Sequence, residues 1–392
     1  MSMVMNGRGE AAIVEGGASR SLRHESARLH VTGGATYIDD IPAPANLLHV
    51  APGLSMRAHA RVVSLDLEAV RAFAGVVRVI TAQDVPGDNQ ISPVHAGDEP
   101  LLAEGEVFYY GQLLFAVVAE TRYAARRAAR LAKVEYEDLP AILTLEEARN
   151  GAGELVGKSL LMSREDAPEA VRAAPHMLSG RVVVGGQEQF YLEGQAAYAL
   201  PGEEGEMRVF SSTQHPTETQ HMVAHVLGLP ANLVTVEVRR MGGGFGGKET
   251  QANAFACLAA LAASLTGRPA RLRLDRDDDM TITGKRHDFA IDYTVGFDND
   301  GMVHGVDMVL AARCGWSADL SGPVTDRALF HADNAYYYPA VRLRSEPFRT
   351  NTQSNTAFRG FGGPQGIAAA ERIMDEIAFA TGLDPLDVRL RN

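Results

Sequence analysis

The residues best placed to do chemistry lie in Met241-Gly-Gly-Gly-Phe-Gly-Gly-Lys-Glu249. Successive glycines let a backbone take positive φ and come close to a guest, and N–H groups at the start of a following helix favour an anion. A phosphate or another negatively charged group is the natural ligand of such a loop. Three readings of the spacing compete. Gly242, Gly244 and Gly247 satisfy G-x-G-x-x-G, the pattern of dinucleotide sites. That pattern belongs in a first βαβ unit with an acidic residue about twenty positions on, whereas Asp275 comes late and the loop lies far along the chain. Gly242 to Lys248 also fit the G-x-x-x-x-G-K of NTPases, yet Glu249 stands where Ser or Thr must hold magnesium. The third reading is a tight strand–helix turn without a ligand, although the run holds more glycines than a turn needs.

Other chemically able residues carry less. His221 and His225 have i, i+4 spacing but lack the glutamate of H-E-x-x-H, which favours a structural role. The only cysteines, Cys257 and Cys314, are too few and too far apart for a disulfide framework, a zinc site or an iron–sulfur cluster. That low usage suits a reducing, cytoplasmic setting. The net charge of −12 excludes a nucleic-acid partner, since phosphate binding needs a basic face. Arg126 and Arg127 read as a solvated helix face. The first twenty residues lack an apolar core for a leader, and the apolar run from Ala252 to Leu265 is too short and too polar for a membrane span.

The elements that must position the loop follow from hydrophobic periodicity. Runs at 47–51, 61–65, 76–81, 113–120 and 133–137 read as strands, and 123–131 as a helix. Further strands are expected at 180–185, 198–200, 207–211, 233–238 and 270–274. Helices are expected at 217–227, between Pro216 and Gly228, and at 250–265. Tyr37 to Pro42 reads as a strand end entering a proline-set turn. Irregular alternation of strand and helix implies a mixed α/β or α+β architecture, and α+β is the fold class expected here. The expected organisation is a disordered tail over 1–20, an α/β domain over 21–150, a connector over 151–177 and a second domain over 178–392.

Several segments together resemble the molybdenum hydroxylases of the xanthine dehydrogenase family. The glycine loop resembles the one those proteins lay against molybdopterin. Gly185-Gly-Gln-Glu-Gln-Phe-Tyr-Leu-Glu193 resembles a glutamine-bearing segment, and Asp326-Arg-Ala-Leu-Phe-His331 an arginine segment. Asn355-Thr-Ala-Phe-Arg-Gly-Phe-Gly-Gly-Pro-Gln365 resembles a second glycine loop, and Tyr37 to Pro42 a motif of the preceding hammerhead-like domain. The resemblance implies an α/β hammerhead-like domain followed by the first molybdopterin-binding domain, the N-terminal half of the family's molybdenum-cofactor subunit.

It also implies a molybdenum–molybdopterin group that hydroxylates an electron-poor carbon, while the protein orients substrate and stabilises developing charge. Gln187 is then expected to approach the metal's oxo ligand through its amide. The backbones of Phe245, Gly246 and Arg359 are expected to line metal and pterin, with Gln187, Phe245 and Arg359 as the molybdenum surroundings. Glu249 and Arg327 are expected to clamp a purine, the carboxylate accepting ring N–H and the guanidinium steadying an oxygen that gains charge. Phe361 is expected to stack on the ring, a contact worth about 0.5–1.5 kcal/mol beyond burial. Plainer roles stand beside these: a buried amide for Gln187, a helix-start carboxylate for Glu249, an ion pair with Asp326 or Asp333 for Arg327, and a core ring for Phe361. Arg286-His287 resembles a family segment with no chemistry attached, and Trp316 reads as core.

Aldehyde oxidases of the family usually carry apolar residues where Glu249 and Arg327 stand, and carbon monoxide dehydrogenases carry a cysteine where 357–361 has none. The expected substrate is therefore hypoxanthine or xanthine, oxidised toward urate. An aldehyde or another N-heterocycle, or a non-catalytic binding or assembly role, remains the alternative. No segment matches the family's general-base glutamate, so no catalytic residue is assigned, and that base is expected in a missing C-terminal half. Because such help is worth ~10²–10⁴-fold in rate, the chain is expected to be inactive alone. The [2Fe-2S] and FAD centres are expected on a partner chain, giving a hetero-oligomer.

Overall fold

The computed structural model describes residues 4–5, 11–12, 21–94 and 97–392. Met1–Ile41 and Pro42–Asn392 are separate contact units. In the first, Val4–Met5 pairs antiparallel with Ala11–Ala12, and the short helix Ala27–Thr32 is closed by left-handed Gly33. The rest of the tail expected over 1–20 lies outside the described residues. The strand end expected at Tyr37 is followed by a 3-10 turn, Ile38–Asp40, because the Asp40 carboxylate accepts the Tyr37 N–H at 2.9 Å.

In Pro42–Asn392 the strands run β1 (Leu48–Leu54), β2 (Ala60–Asp66), β3 (Val76–Ile80), β4 (Glu106–Val107), β5 (Leu113–Ala119) and β6 (Lys133–Asp138). There follow β7 (Leu161–Arg164), β8 (His176–Val184), β9 (Ala196–Pro201), β10 (Met207–Ser211) and β11 (Val234–Glu237). The last are β12 (Ala270–Arg273), β13 (Phe289–Phe297), β14 (Val303–Gly315) and β15 (Ala340–Arg349). The main helices are α1 (Arg122–Ala129), α2 (Ala167–Ala173), α3 (Pro216–Leu227), α4 (Ala252–Thr266), α5 (Arg276–Ile282), α6 (Ser321–Phe330), α7 (Gly363–Thr381) and α8 (Pro385–Arg391).

A seven-stranded sheet has the order β11-β10-β9-β12-β1-β5-β3, so strands from early and late in the chain share one surface. The joint is the parallel pair β12–β1, with Ala270 opposite Leu48. Every residue of β5 is buried, as expected of a central strand covered on both faces. Helix α4 is buried from Ala252 to Ala263 except Ala254, the pattern of a helix enclosed on all sides. It packs on β9 and α3 and begins after the expected 250, because the turn of the glycine loop runs on to Gln251. Three further strands form β4-β2-β6, and five form β8-β13-β14-β15-β7, with α6 and α7 packed on the latter.

Arg126, expected on a solvated face, instead pairs with Asp275 and Asp278 at the start of α5, and Arg122 joins the same Asp275. Asp275 is thereby committed to the protein, which removes the acidic residue that a dinucleotide reading required. Trp316 is core, stacked between Phe108 at 5.8 Å and Tyr109 at 5.7 Å. Among the described residues no helix is long and apolar enough to cross a membrane. An open groove of about 430 Å³ beside α1 and β1 contains none of the expected site residues.

Candidate functional site

Between β11 and α4 the first glycine loop is anchored from beneath. Lys248 is fully buried and its Nζ donates to the Glu193 carbonyl oxygen at 2.7 Å, with Glu193 Oε2 at 3.5 Å and the Tyr191 ring centroid at 4.5 Å. Glu193 Oε2 also accepts the Gly242 N–H at 2.8 Å. Burial pulls the ammonium pKa below its usual range, and Glu193 opposes that pull. The lysine that completed an NTPase pattern is therefore turned into the protein. Lys248→Met should cost about 3 kcal/mol, because it strands a largely buried carboxylate. A urea-unfolding midpoint equal to that of the unmodified protein would show that this anchor is idle.

The second glycine loop, leading from β15 into α7, meets the first. Arg359 N–H donates to the Phe245 carbonyl oxygen at 2.8 Å, and Gln189 Nε2 donates to the Ala357 carbonyl at 3.0 Å. Gly246 has φ +99°, and a methyl there would lie 2.7 Å from the Ala357 carbonyl, so only glycine permits this approach. Two aromatic residues occupy left-handed backbone in the loops, Phe245 at φ 53° and Phe361 at φ 51°. Such conformations are costly and persist where surrounding bonds fix them, often at functional sites. Phe245 keeps 47% of its surface exposed, while Phe361 packs partly against the core under α6 and α7.

Gln187 is exposed, and its Oε1 accepts from Arg286 Nε at 2.8 Å, which leaves the carboxamide nitrogen without a hydrogen bond among the described residues. A second carboxamide, missed in the sequence, lies closer to the first loop. Gln214 Oε1 accepts the Gly246 N–H at 2.8 Å and the Lys248 N–H at 3.3 Å. The available signal was positional: Gln214 follows the end of β10 and precedes Pro216, the place where an α/β layer presents side chains to a neighbouring loop. Glu249 is half-buried, its N–H 3.3 Å from the Gly246 carbonyl. Burial, aided by Glu218 and opposed by His215, holds its carboxyl pKa above the usual carboxylate range.

Arg327 stands apart. It is exposed on α6, with its Nε 3.4 Å from His331 Nε2, and it pairs with neither Asp326 nor Asp333 among the described residues. Its helix, not its guanidinium, touches the loop, where the Val324 carbonyl lies against Gly362. Gln187, Phe245 and Arg359 are thus linked through hydrogen bonds, with Arg286 bridging the first and the last, and Gly246 follows Phe245 in the loop with its N–H held by Gln214. Glu249 rides on one loop and Phe361 on the other, and the Arg327 guanidinium reaches none of them directly.

Residues 153–392 match the molybdopterin cofactor-binding domain, and residues 32–140 match the aldehyde oxidase and xanthine dehydrogenase a/b hammerhead domain. This chain belongs to the molybdenum hydroxylase family. This member is 45% identical over 374 residues to xanthine dehydrogenase/oxidase of Rattus norvegicus, a match covering 95% of the chain and 28% of the relative. Among solved structures it resembles the aldehyde oxidoreductase of Desulfovibrio gigas, with TM-score 0.86 and 28% identity over 94% of this chain and 42% of that one. It also resembles quinoline 2-oxidoreductase of Pseudomonas putida 86, with TM-score 0.84 and 28% identity over 95% and 49%. The hydroxylase fold is therefore a hammerhead domain followed by a cofactor-binding domain, in a chain spanning less than a third of that curated relative. The residues at the loop junction suit an anionic metal–pterin group: Phe245 on one turn and Arg359 and Gly360 on the other are exposed, and among the described residues the carboxamide nitrogens of Gln187 and Gln214 and the buried Arg286 Nη1 have no hydrogen-bond partner.

Proposed function

We propose that this chain forms one wall of the molybdenum–molybdopterin site in an enzyme that hydroxylates hypoxanthine or xanthine toward urate. The observation that supports it most strongly is the meeting of the two glycine loops at the Arg359–Phe245 hydrogen bond, beside Gln187, Gln214 and Glu249. The bound group supplies the oxygen-transfer and electron-accepting chemistry. Phe245, Gly246 and Arg359 present backbone around it, and the carboxamides of Gln187 and Gln214 offer N–H donors. Gln214 is the nearer of the two to Gly246, so it shares with Gln187 the role of facing the metal. Glu249 accepts a purine ring N–H, Arg327 swings from α6 to steady the ring oxygen, and Phe361 stacks on the ring.

Turnover is proposed to require the remaining segments of the molybdenum subunit, which would carry the general base, and a partner chain with [2Fe-2S] and FAD that removes the electrons. Phe330, Phe379, Leu386 and Leu390 leave apolar surface exposed on α6, α7 and α8, as a face awaiting further protein would. An aldehyde or another N-heterocycle is the second reading, favoured by the separation of Arg327 from Glu249 and by the resemblance to an aldehyde oxidoreductase and a quinoline 2-oxidoreductase. The test is molybdenum and pterin analysis of the complete assembled enzyme carrying Gln214→Leu or Glu249→Ala. Glu249→Ala should load fully and lose purine turnover, whereas Gln214→Leu should bring turnover down on purine and aldehyde alike, by about 10²-fold. Failure of Glu249→Ala to load would remove that carboxylate from the substrate clamp.

A further inference from the structure

We infer that Arg286 is the positioning residue that sets the Gln187 carboxamide and the second glycine loop against one another, an inference that rests on the cofactor-site reading above. Arg286 is only 7% exposed. Its Nε donates to Gln187 Oε1 and its Nη2 to the Arg359 carbonyl oxygen, each at 2.8 Å. Its guanidinium carbon lies 3.9 Å from the centroid of the Phe358 ring, and its backbone N–H donates to the Gln187 carbonyl at 2.9 Å. One side chain therefore grips both ends of the junction.

The adjoining residue ties in the elements behind it. His287 is fully buried, with Nε2 2.7 Å from Ser321 Oγ at the start of α6, and its carbonyl accepts from Gln365 Nε2 at 3.1 Å in the first turn of α7. Burial pulls the imidazole pKa down to about 3, so it stays neutral and serves as a fixed strut. A displacement of Arg286 is thus resisted from the helix that carries Arg327 as well as from the loops.

The charge of Arg286 is unusual in its setting. Among the described residues no carboxylate pairs with it, its Nη1 is buried without a partner, and burial lowers its pKa. A buried cation lacking a counter-charge is costly, so an anionic guest at the junction relieves a strain that the protein alone leaves standing. A lysine could not replace it, since a point-charge ammonium cannot serve two fixed acceptors while stacked on a ring as a planar fork does. With Gln187 Oε1 held by Arg286, the amide nitrogen must face away toward the guest. Arg286 acts through Gln187 and Arg359 and needs no contact with reacting atoms.

The test uses the complete protein, with and without its cofactor, carrying Arg286→Met or Arg286→Lys. Hydrogen–deuterium exchange over 185–189 and 357–362 should rise about tenfold or more in Arg286→Met in both forms, with at most partial recovery in Arg286→Lys. In the loaded enzyme the Mo(V) electron paramagnetic resonance signal should shift, and the kcat losses of Arg286→Met and Gln187→Leu should be less than multiplicative when combined. Exchange equal to that of the unmodified protein in both segments, together with an unshifted signal, would overturn the assignment. If Arg286→Met does not fold, Arg286→Lys carries the same readouts to the same two outcomes. If the unmodified protein takes up no molybdenum, the cofactor reading fails by itself, and exchange in the cofactor-free protein still decides the role of Arg286.

Discussion

Arg327→Met in the complete, cofactor-loaded enzyme is expected to lower kcat/KM for a purine by about 10²–10³-fold, the usual effect of losing a donor to an oxygen that gains charge in the transition state. Aldehyde turnover should change by less than about threefold, since an aldehyde has no distal ring oxygen for the guanidinium to hold. The side chain is free to act: it is exposed, its Nε lies 3.4 Å from His331 Nε2, and among the described residues no carboxylate pairs with it. For the same reason the substitution should leave stability within about 0.5 kcal/mol, so lost activity cannot be blamed on unfolding. If the contact forms only as charge develops, kcat falls with kcat/KM and KM moves little. Equal losses on purine and aldehyde, measured side by side, would favour the second reading of the substrate.

How far the sequence could be read depended on whether a signal was local. Pro216 and Gly228 mark the ends of α3, where left-handed Gly228 closes the helix, because caps are written in adjacent residues. The apolar run at 113–120 likewise becomes β5. The glycine loops were legible because few other sequences let the backbone approach so closely. The pairing of β12 with β1 was not, since nothing in Ala270–Arg273 names a partner more than two hundred residues earlier. Gln214 was silent, and Arg286 carried a resemblance without a role, for a related reason. A carboxamide or guanidinium gains its role from what it touches, and those contacts, to Gly246, Gln187 and Arg359, join residues far apart in the chain. Lys248 shows the converse: its spacing fitted a phosphate loop, but Glu193 had already claimed it.

That dependence on long-range packing makes Gly362→Ala the most disruptive single methyl expected at the junction. Gly362 has φ +92°, and an added methyl would overlap the Val324 carbonyl oxygen and lie 3.0 Å from the Ala328 nitrogen, both in the rigid backbone of α6. Neither atom sits at the end of a flexible side chain, so the loop or the helix must move. Positive φ adds about 1–3 kcal/mol of strain, and overpacking about 1–3 kcal/mol more, for a total near 4 kcal/mol in a urea-unfolding measurement. Gly322→Ala is the matched control in the same helix, since a methyl there meets nothing within 4 Å, and it should be neutral or mildly stabilising. Because Arg327 lies between Val324 and Ala328, moving α6 away from the loop also carries the guanidinium out of reach. Folded Gly362→Ala enzyme should therefore lose purine turnover more than aldehyde turnover, as Arg327→Met does, but with a stability loss that Arg327→Met lacks. A Gly362→Ala protein as stable and as active on purine as the unmodified enzyme would mean that α6 and the second glycine loop are not packed as described.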